Sequence, residues 1–271
     1  MTIIQEETKD ITRQETENII LEEQNLSAEE VLLLQEMAEA GLLYGLAKRK
    51  THPKIKHWIF TTKSGVEIIN LEYTIKALDK SAAFLKSVVS SGKQIIIVGT
   101  SPSAKNAVKE FAITASQPYV VSRWLGGTLT NFRVIEGRIK YYNQLLADRE
   151  SGALNKYTKK ERILLDKKLE KMKIFFEGIA DMNGIPGAVV LCDIQANQTA
   201  AREARAMGIP IVALINTDTD PSIADYPIPA NNRLNTGIRW ILNYLHDSYK
   251  KAPVSVVVPQ SQEPLNEKGL L

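Results

Sequence analysis

A chain of 271 residues with 44 % apolar side chains can bury a sizeable core, and sets a prior of one large domain or two small ones. A single cysteine excludes an intrachain disulfide and a cysteine-rich metal site, and no apolar run approaches the roughly 18 residues of a membrane span. The formal charge is only +3, but residues 1–36 carry ten acidic and two basic side chains, so about +11 falls on the rest, the pattern of an acidic tail on a basic, nucleic-acid-binding body.

Residues 1–27 are polar, acidic and short of aromatics. They read as a mostly disordered extension, too acidic for a transit peptide and lacking the basic and apolar regions of a secretion signal. Ser27 with Glu30 three residues on is a capping-box signal. Val31, Leu34, Met37 and Ala38 follow at helical spacing, which predicts a helix from Ala28 to about Ala40, ended by Gly41. From Ala40 to Val66 there is no acidic residue. Lys48, Arg49, Lys50, Lys54, Lys56 and Lys63 lie there among His52, His57, Trp58 and Phe60, and Pro53 excludes a continuous helix. Such a loop is a candidate surface for phosphates; the alternative is a loop that is merely solvated. His52 and His57 straddle the proline with no third ligand nearby and read as polar loop residues.

Trp58–Phe60 and Glu67–Leu71, separated by Ser64-Gly65, predict a β-hairpin. Asn70 to Val89 reads as a helix with Ile75, Leu78, Ala82 and Leu85 on one face, closed by Gly92. Gln94–Thr100 is apolar without alternation, as a buried parallel strand is. Ser101-Pro102-Ser103 and a helix from Ala104 to about Thr114 follow. Strand, glycine, hydroxyl residues and helix can present backbone N–H groups to a phosphate, but without a G-x-G-x-x-G pattern or a P-loop lysine the segment reads as an ordinary βα turn.

The most unusual stretch follows Tyr119-Val120-Val121 and runs from Ser122 to Phe132. Arg123 offers a planar donor fork and Trp124 a large flat face. Gly126 and Gly127 let the backbone take positive φ or approach another surface closely. Thr128, Thr130 and Asn131 can hydrogen-bond backbone or phosphate. The plainer reading is a loop anchored by a core tryptophan, with Thr130 or Asn131 capping the next helix.

Val134 to about Ala147, a break at Ser151–Leu154, and Lys159–Ile179 predict two antiparallel helices. Lys156, Lys159, Lys160, Arg162, Lys167, Lys168, Lys171 and Lys173 make the second strongly basic, while Leu164, Leu165, Leu169, Met172, Ile174 and Phe175 supply an apolar seam. Such a hairpin can lie on a protein or on RNA, or simply pack on itself. The α/β pattern then resumes, with strands at Gly187–Asp193 and Ile209–Asn216, a helix at Asn197–Met207, a short edge segment at Asp225–Asn231 and a last helix at Thr236–Tyr249. Residues 251–271 have no helical period and read as a disordered tail. Asp193, Asp218 and Asp220 fall where an open parallel sheet places catalytic carboxylates or magnesium ligands. That would allow a phosphate-ligand enzyme, but no nucleophile or general base stands out beside them, and Asp after a strand commonly turns the chain. A protein–protein scaffold is a further alternative, with the hairpin and acidic tail as docking surfaces.

With these pieces assembled, residues 28–245 resemble the bacterial-type family of small ribosomal subunit protein 2. The most specific elements are Arg123-Trp124-Leu125-Gly126-Gly127-x-Leu129-Thr130-Asn131, and Asp218-x-Asp220-Pro221 followed by Tyr226-Pro227-Ile228-Pro229-Ala230-Asn231. Pro53-Lys54-x-Lys56 and the strand before Gly99-Thr100 also match in place. The resemblance implies a flavodoxin-like parallel sheet flanked by helices, spanning 28–250, with a coiled-coil-like helical hairpin inserted at about 134–180. It implies a structural, non-enzymatic constituent of the small ribosomal subunit, without cofactor, catalytic residue, metal or membrane. The partners implied are small-subunit ribosomal RNA near the head–body junction and other small-subunit proteins, among them small-subunit protein one. The setting implied is a cytoplasmic ribosome of bacterial type, with an organellar one left open. Carried onto this sequence, the RNA-binding residues would be Lys48, Arg49, Lys50, Lys54, Lys56, Arg123, Trp124, Gly126, Gly127, Thr130 and Asn131. One departure is visible: family members commonly carry His-Phe-Gly-His where this chain has Leu43-Tyr44-Gly45-Leu46, so any role of those histidines does not transfer.

Overall fold

The computed structural model describes residues 28–250; the readings made for 1–27 and 251–271 fall outside the described residues. The chain opens with helix α1 (Ala28–Glu39), strand β1 (Tyr44–Ala47), strands β2 (Ile59–Lys63) and β3 (Val66–Ile69), and helix α2 (Leu71–Ser90). Strand β4 (Ile95–Val98), helix α3 (Lys105–Ala115) and the two-residue strand β5 (Tyr119–Val120) follow. Helices α4 (Phe132–Glu150) and α5 (Lys159–Phe176) form the hairpin. Strand β6 (Ala188–Leu191), helix α6 (Gln198–Ala206), strand β7 (Ile211–Ile215), strand β8 (Tyr226–Pro229) and helix α7 (Asn235–Lys250) complete the described residues.

The larger sheet is parallel throughout, in the order β5-β4-β6-β7-β8. Numbered by its own strands this is 2-1-3-4-5, the flavodoxin-like order. Both faces are covered, which is why the strands read as continuous apolar runs. Ile95, Ile97, Val190, Val212 and Leu214 point into a core shared with α2, α3 and α7. Their neighbours Ile96, Val98, Val189, Leu191, Ile211 and Ala213 point into a second core with the hairpin and α6. β8 carries two prolines, tolerated because it is an edge strand.

The smaller sheet is antiparallel, in the order β1-β3-β2. Its β2–β3 turn has Ser64 and Gly65 both at positive φ, 49° and 77°, the backbone of a two-residue hairpin turn. β1 departs from the sequence expectation, which ran the basic loop through Tyr44–Ala47. Four half-buried residues without alternation give no strand signal. In the hairpin, Leu165, Leu169, Met172, Phe175 and Phe176 pack into the second core. Leu164 and Ile174, expected in that seam, instead face solvent at 58 % and 60 % exposure.

Candidate nucleic-acid interface

The Arg123–Asn131 loop is built around a residue that the sequence reading passed over. Glu203 on α6 is 8 % exposed, and its carboxylate accepts hydrogen bonds from the Trp124 indole N–H (3.1 Å) and the amides of Gly127 (2.8 Å), Leu129 (3.0 Å) and Thr130 (3.3 Å). The Thr130 hydroxyl reaches the same carboxylate at 3.3 Å. Burial alone would push the Glu203 carboxyl up, but the hydrogen bonds from Leu129, Gly127, Trp124 and Thr130 together hold it below the ordinary glutamate value. A signal was available: Ala200, Ala201 and Ala204 form the buried stripe of α6, and Glu203 lies among them.

This geometry sorts the loop residues. Trp124 is 7 % exposed and belongs to the core, so the structure corrects the expectation that its face meets a ligand. Gly127 is needed internally, with φ at +87°. Asn131 sits at the N-cap of α4 but its side chain makes no cap hydrogen bond, contrary to the capping expectation. Arg123, Gly126, Thr130 and Asn131 are exposed. A Cβ built on Gly126 would meet nothing within 4 Å, so the chain itself gives no reason for glycine there.

The basic segment is fastened by the end of β7. The Leu46 amide donates to the Thr217 hydroxyl (2.8 Å) and the His52 amide to the Thr217 carbonyl (2.8 Å). A Cβ on Gly45 would lie 2.5 Å from Thr217 Cγ2, so this close approach requires glycine. Asn231 accepts its place by donating from its side chain to the Gly41 carbonyl at 3.0 Å, and from its amide to the Leu42 carbonyl at 3.1 Å. Two short 3-10 helices, Lys48–Lys50 and Pro53–Trp58, then carry the cations. Ile55 is buried and pins the second against the core. Lys48, Arg49, Lys50 and Lys56 are exposed, with no ion pair to any described residue.

Lys54 differs. Its ammonium lies 2.9 and 3.1 Å from the Asp220 carboxylate oxygens and 2.8 Å from the Ser222 hydroxyl. The Ser222 hydroxyl, the Lys54 ammonium and the Ser222 amide hold Asp220 well below the usual carboxylate range. Arg205 on α6 donates to the Ser222 carbonyl at 2.8 Å. α6 therefore grips the Arg123–Asn131 loop through Glu203 and, through Arg205, the Asp220–Ser222 turn that in turn holds Lys54.

The same contacts bear on the aspartates considered as a catalytic set. Asp193 accepts from the Ala196 amide at 3.2 Å, Asp218 lies 3.5 Å from Arg233, and Asp220 is occupied as above. Among the described residues no group of three His, Cys, Asp or Glu side chains is placed to hold a metal ion. Burial and neighbouring Asp193 push the Cys192 thiol up to about 12, far from a thiolate. Gly99 has an internal reason too, since a Cβ there would lie 2.6 Å from Val108 of α3. No described helix is long and apolar enough to cross a membrane.

Comparison with known proteins adds the following. Residues 37–252 match the family model described as Ribosomal protein S2. The chain is 38 % identical over 218 residues to the small ribosomal subunit protein uS2 of Coprothermobacter proteolyticus, covering 80 % of this chain and 81 % of the relative. A relative of the same name from Chloroflexus aggregans is also 38 % identical over 218 residues, 80 % of this chain and 92 % of that one. Another, from a Roseiflexus species, is 37 % identical over 221 residues, 82 % of this chain and 84 % of the relative.

Proposed function

Because the chain belongs to the ribosomal protein S2 family, we propose that it is a structural constituent of the small ribosomal subunit that binds ribosomal RNA through the basic loop and the Arg123–Asn131 loop. Lys48, Arg49, Lys50 and Lys56 on one loop and Arg123 beside Gly126 on the other meet phosphates. The observation that carries this reading is that these five cations are exposed and have no ion pair to any described residue, while their neighbours Lys54, Trp124, Gly127 and Leu129 are engaged by internal contacts. Internal contacts fix the loops, and the free charges are left outside. RNA is then recognised by the path of its backbone more than by paired base edges. Lys54 and Glu203 act as positioning residues, and Gly126 leaves room for close approach. The basic α5 face adds a surface for RNA or for neighbouring small-subunit proteins, among them small-subunit protein one. The protein works in a bacterial-type ribosome in the cytoplasm.

Sucrose-gradient sedimentation of a cell lysate at low and high salt tests this. The chain is expected to travel with the small subunit and to be stripped progressively as salt rises. A chain that stays at the top of the gradient at both salts overturns the reading.

A further inference from the structure

The exposed cations of the basic segment stand on the same side of the fold as an acidic stretch of the same chain. Residues 1–27, outside the described residues, carry seven carboxylates against Lys9 and Arg13, a net charge of −5. Four of the seven, Glu15, Glu17, Glu22 and Glu23, fall in the last thirteen residues before α1 and flank the apolar run Ile19-Ile20-Leu21. The basic segment mirrors this pattern. Between Lys48 and Lys63 six cations are interspersed with Trp58 and Phe60, the latter 40 % exposed, and no carboxylate lies between Ala40 and Val66. The carboxylates that other elements bring to this segment are already committed. Glu67 on β3 is buried and accepts from the Thr51 hydroxyl at 3.2 Å and the Thr62 hydroxyl at 2.8 Å. Asp220 holds Lys54 at 2.9 Å, and Asp218 lies 3.5 Å from Arg233. Lys48, Arg49, Lys50 and Lys56 keep no ion pair with any described residue. The tether reaches as well. Ala38 of α1 packs with Leu43 and with Ile68 of β3, so α1 rests on the antiparallel sheet from which the basic segment extends. Its 12 residues span about 18 Å, far less than the contour of the 27 residues before it, about 90 Å.

We propose that Glu15–Glu23 docks on the basic segment Lys48–Lys63 of the same chain, and that RNA gains the loop by displacing it. The carboxylates meet the cations as phosphates do, and Ile19–Leu21 covers the exposed Phe60. Tethering makes the encounter intramolecular, with an effective concentration in the millimolar range, so ion pairs that are weak singly still cover the loop. Basic α5 is the poorer seat. Glu161, Asp166 and Glu170 sit among its lysines. It also packs in the second core, whereas α1 buries Met37 in the first, across the parallel sheet. An RNA that offers a continuous run of phosphates outcompetes the short acidic stretch, while one with a few scattered contacts does not. The acidic stretch thus screens the loop against non-specific RNA. The docking stands on charge and tether alone; its consequence for RNA rests on the reading of the loop given above.

Zero-length carbodiimide coupling joins a carboxylate to an amine only where the two touch, and tests the docking on the full chain at low salt. Mass spectrometry is expected to find links from Glu15, Glu17, Glu22 or Glu23 to Lys48, Lys50, Lys56 or Lys63. Their yield should be independent of protein concentration and fall away when excess oligouridine is added. Links that run to the α5 lysines overturn the proposal, as do links whose yield rises with protein concentration, which mark docking between copies, or no links at all. Filter binding of oligouridine then compares the full chain with its variant carrying Glu15→Gln, Glu17→Gln, Glu22→Gln and Glu23→Gln together. The variant is expected to bind about 5-fold more tightly at low salt, because the uncovered loop is no longer the minor state, and to lose that advantage at high salt. Equal affinity at low salt overturns the displacement. Links that form in a chain with no affinity for oligouridine would uphold the docking and overturn the RNA reading of the loop instead.

Discussion

Glu203 shows how one buried charge can organise a loop. Four hydrogen bonds from backbone and indole donors, with a fifth from a hydroxyl, converge on a carboxylate that is 8 % exposed. Replacing it by glutamine leaves a similar shape but only one acceptor oxygen, and no charge. Glu203→Gln is expected to cost about 1–3 kcal/mol in urea unfolding at pH 7. The folded carboxyl is held below the ordinary 4.5, so its stabilisation is fully present above that value and is lost as pH falls through the folded value. The gap between wild type and Glu203→Gln should therefore be constant from pH 7 to about pH 5 and close in stronger acid. A gap that widens below pH 4 would contradict a charge-assisted anchor. The two adjacent glycines separate in the same way. Gly127→Ala forces a side chain onto φ +87° with Asn131 Cβ 3.3 Å away, and is expected to cost about 1–2 kcal/mol. Gly126→Ala meets nothing and should leave the urea midpoint unchanged while weakening RNA binding. Unchanged affinity for Gly126→Ala would remove the close approach from the interface.

Among the elements, strands and helices differ in how openly the sequence declares them. The buried strands β4, β6 and β7 stand out as apolar runs between glycines and polar turns, and the prolines of β8 mark it as an edge. β1 and β5 do not: the four residues of β1 are half-buried without alternation, and β5 is only two residues long. The cations of the basic loop were legible because acidic residues are missing around them. The pairing of Lys54 with Asp220, 166 positions away, was not, because it exists only once β7 and β1 are brought together. Glu203 was hidden likewise, since a glutamate in a helix has an ordinary surface reading until the fold turns it inward, whereas a core position for Trp124 was one of the two readings the sequence offered. β1 also supplies an elemental test. Thr217→Val keeps the side-chain shape but removes the hydroxyl that receives the Leu46 amide. The buried change is expected to cost about 1–2 kcal/mol and to speed hydrogen exchange at Leu46. RNA affinity should fall although no cation has been touched. Slow exchange at Leu46 in that variant would show that the basic segment is held by other means.

For the whole molecule, the decisive quantity is where charge is left over. Residues 1–36 hold an excess of eight negative charges, and the rest of the chain about eleven positive. Much of that positive charge is spread over the hairpin and both loops. Affinity for RNA then depends on salt through the cations that release counterions from phosphates, with each contact adding roughly 0.7–0.9 to the slope of log affinity against log salt. The structure divides the basic loop into cations of two kinds. Lys48, Arg49, Lys50 and Lys56 have no ion pair to any described residue, whereas Lys54 is already neutralised by Asp220 at 2.9 Å. Lys50→Gln is therefore expected to lower the slope by nearly one unit and to weaken binding uniformly across RNA sequences. Lys54→Gln should lower it by much less, since the RNA side of that site was never a full positive charge. Its loss of affinity should instead track the loosening of the loop, seen as faster exchange near Ile55. Filter-binding titrations of both variants between about 50 and 400 mM salt, over which the Debye length shrinks roughly threefold, separate the two effects. Equal slope changes for Lys50→Gln and Lys54→Gln would mean that the Lys54–Asp220 pair opens on binding and that all five cations of the loop reach the RNA.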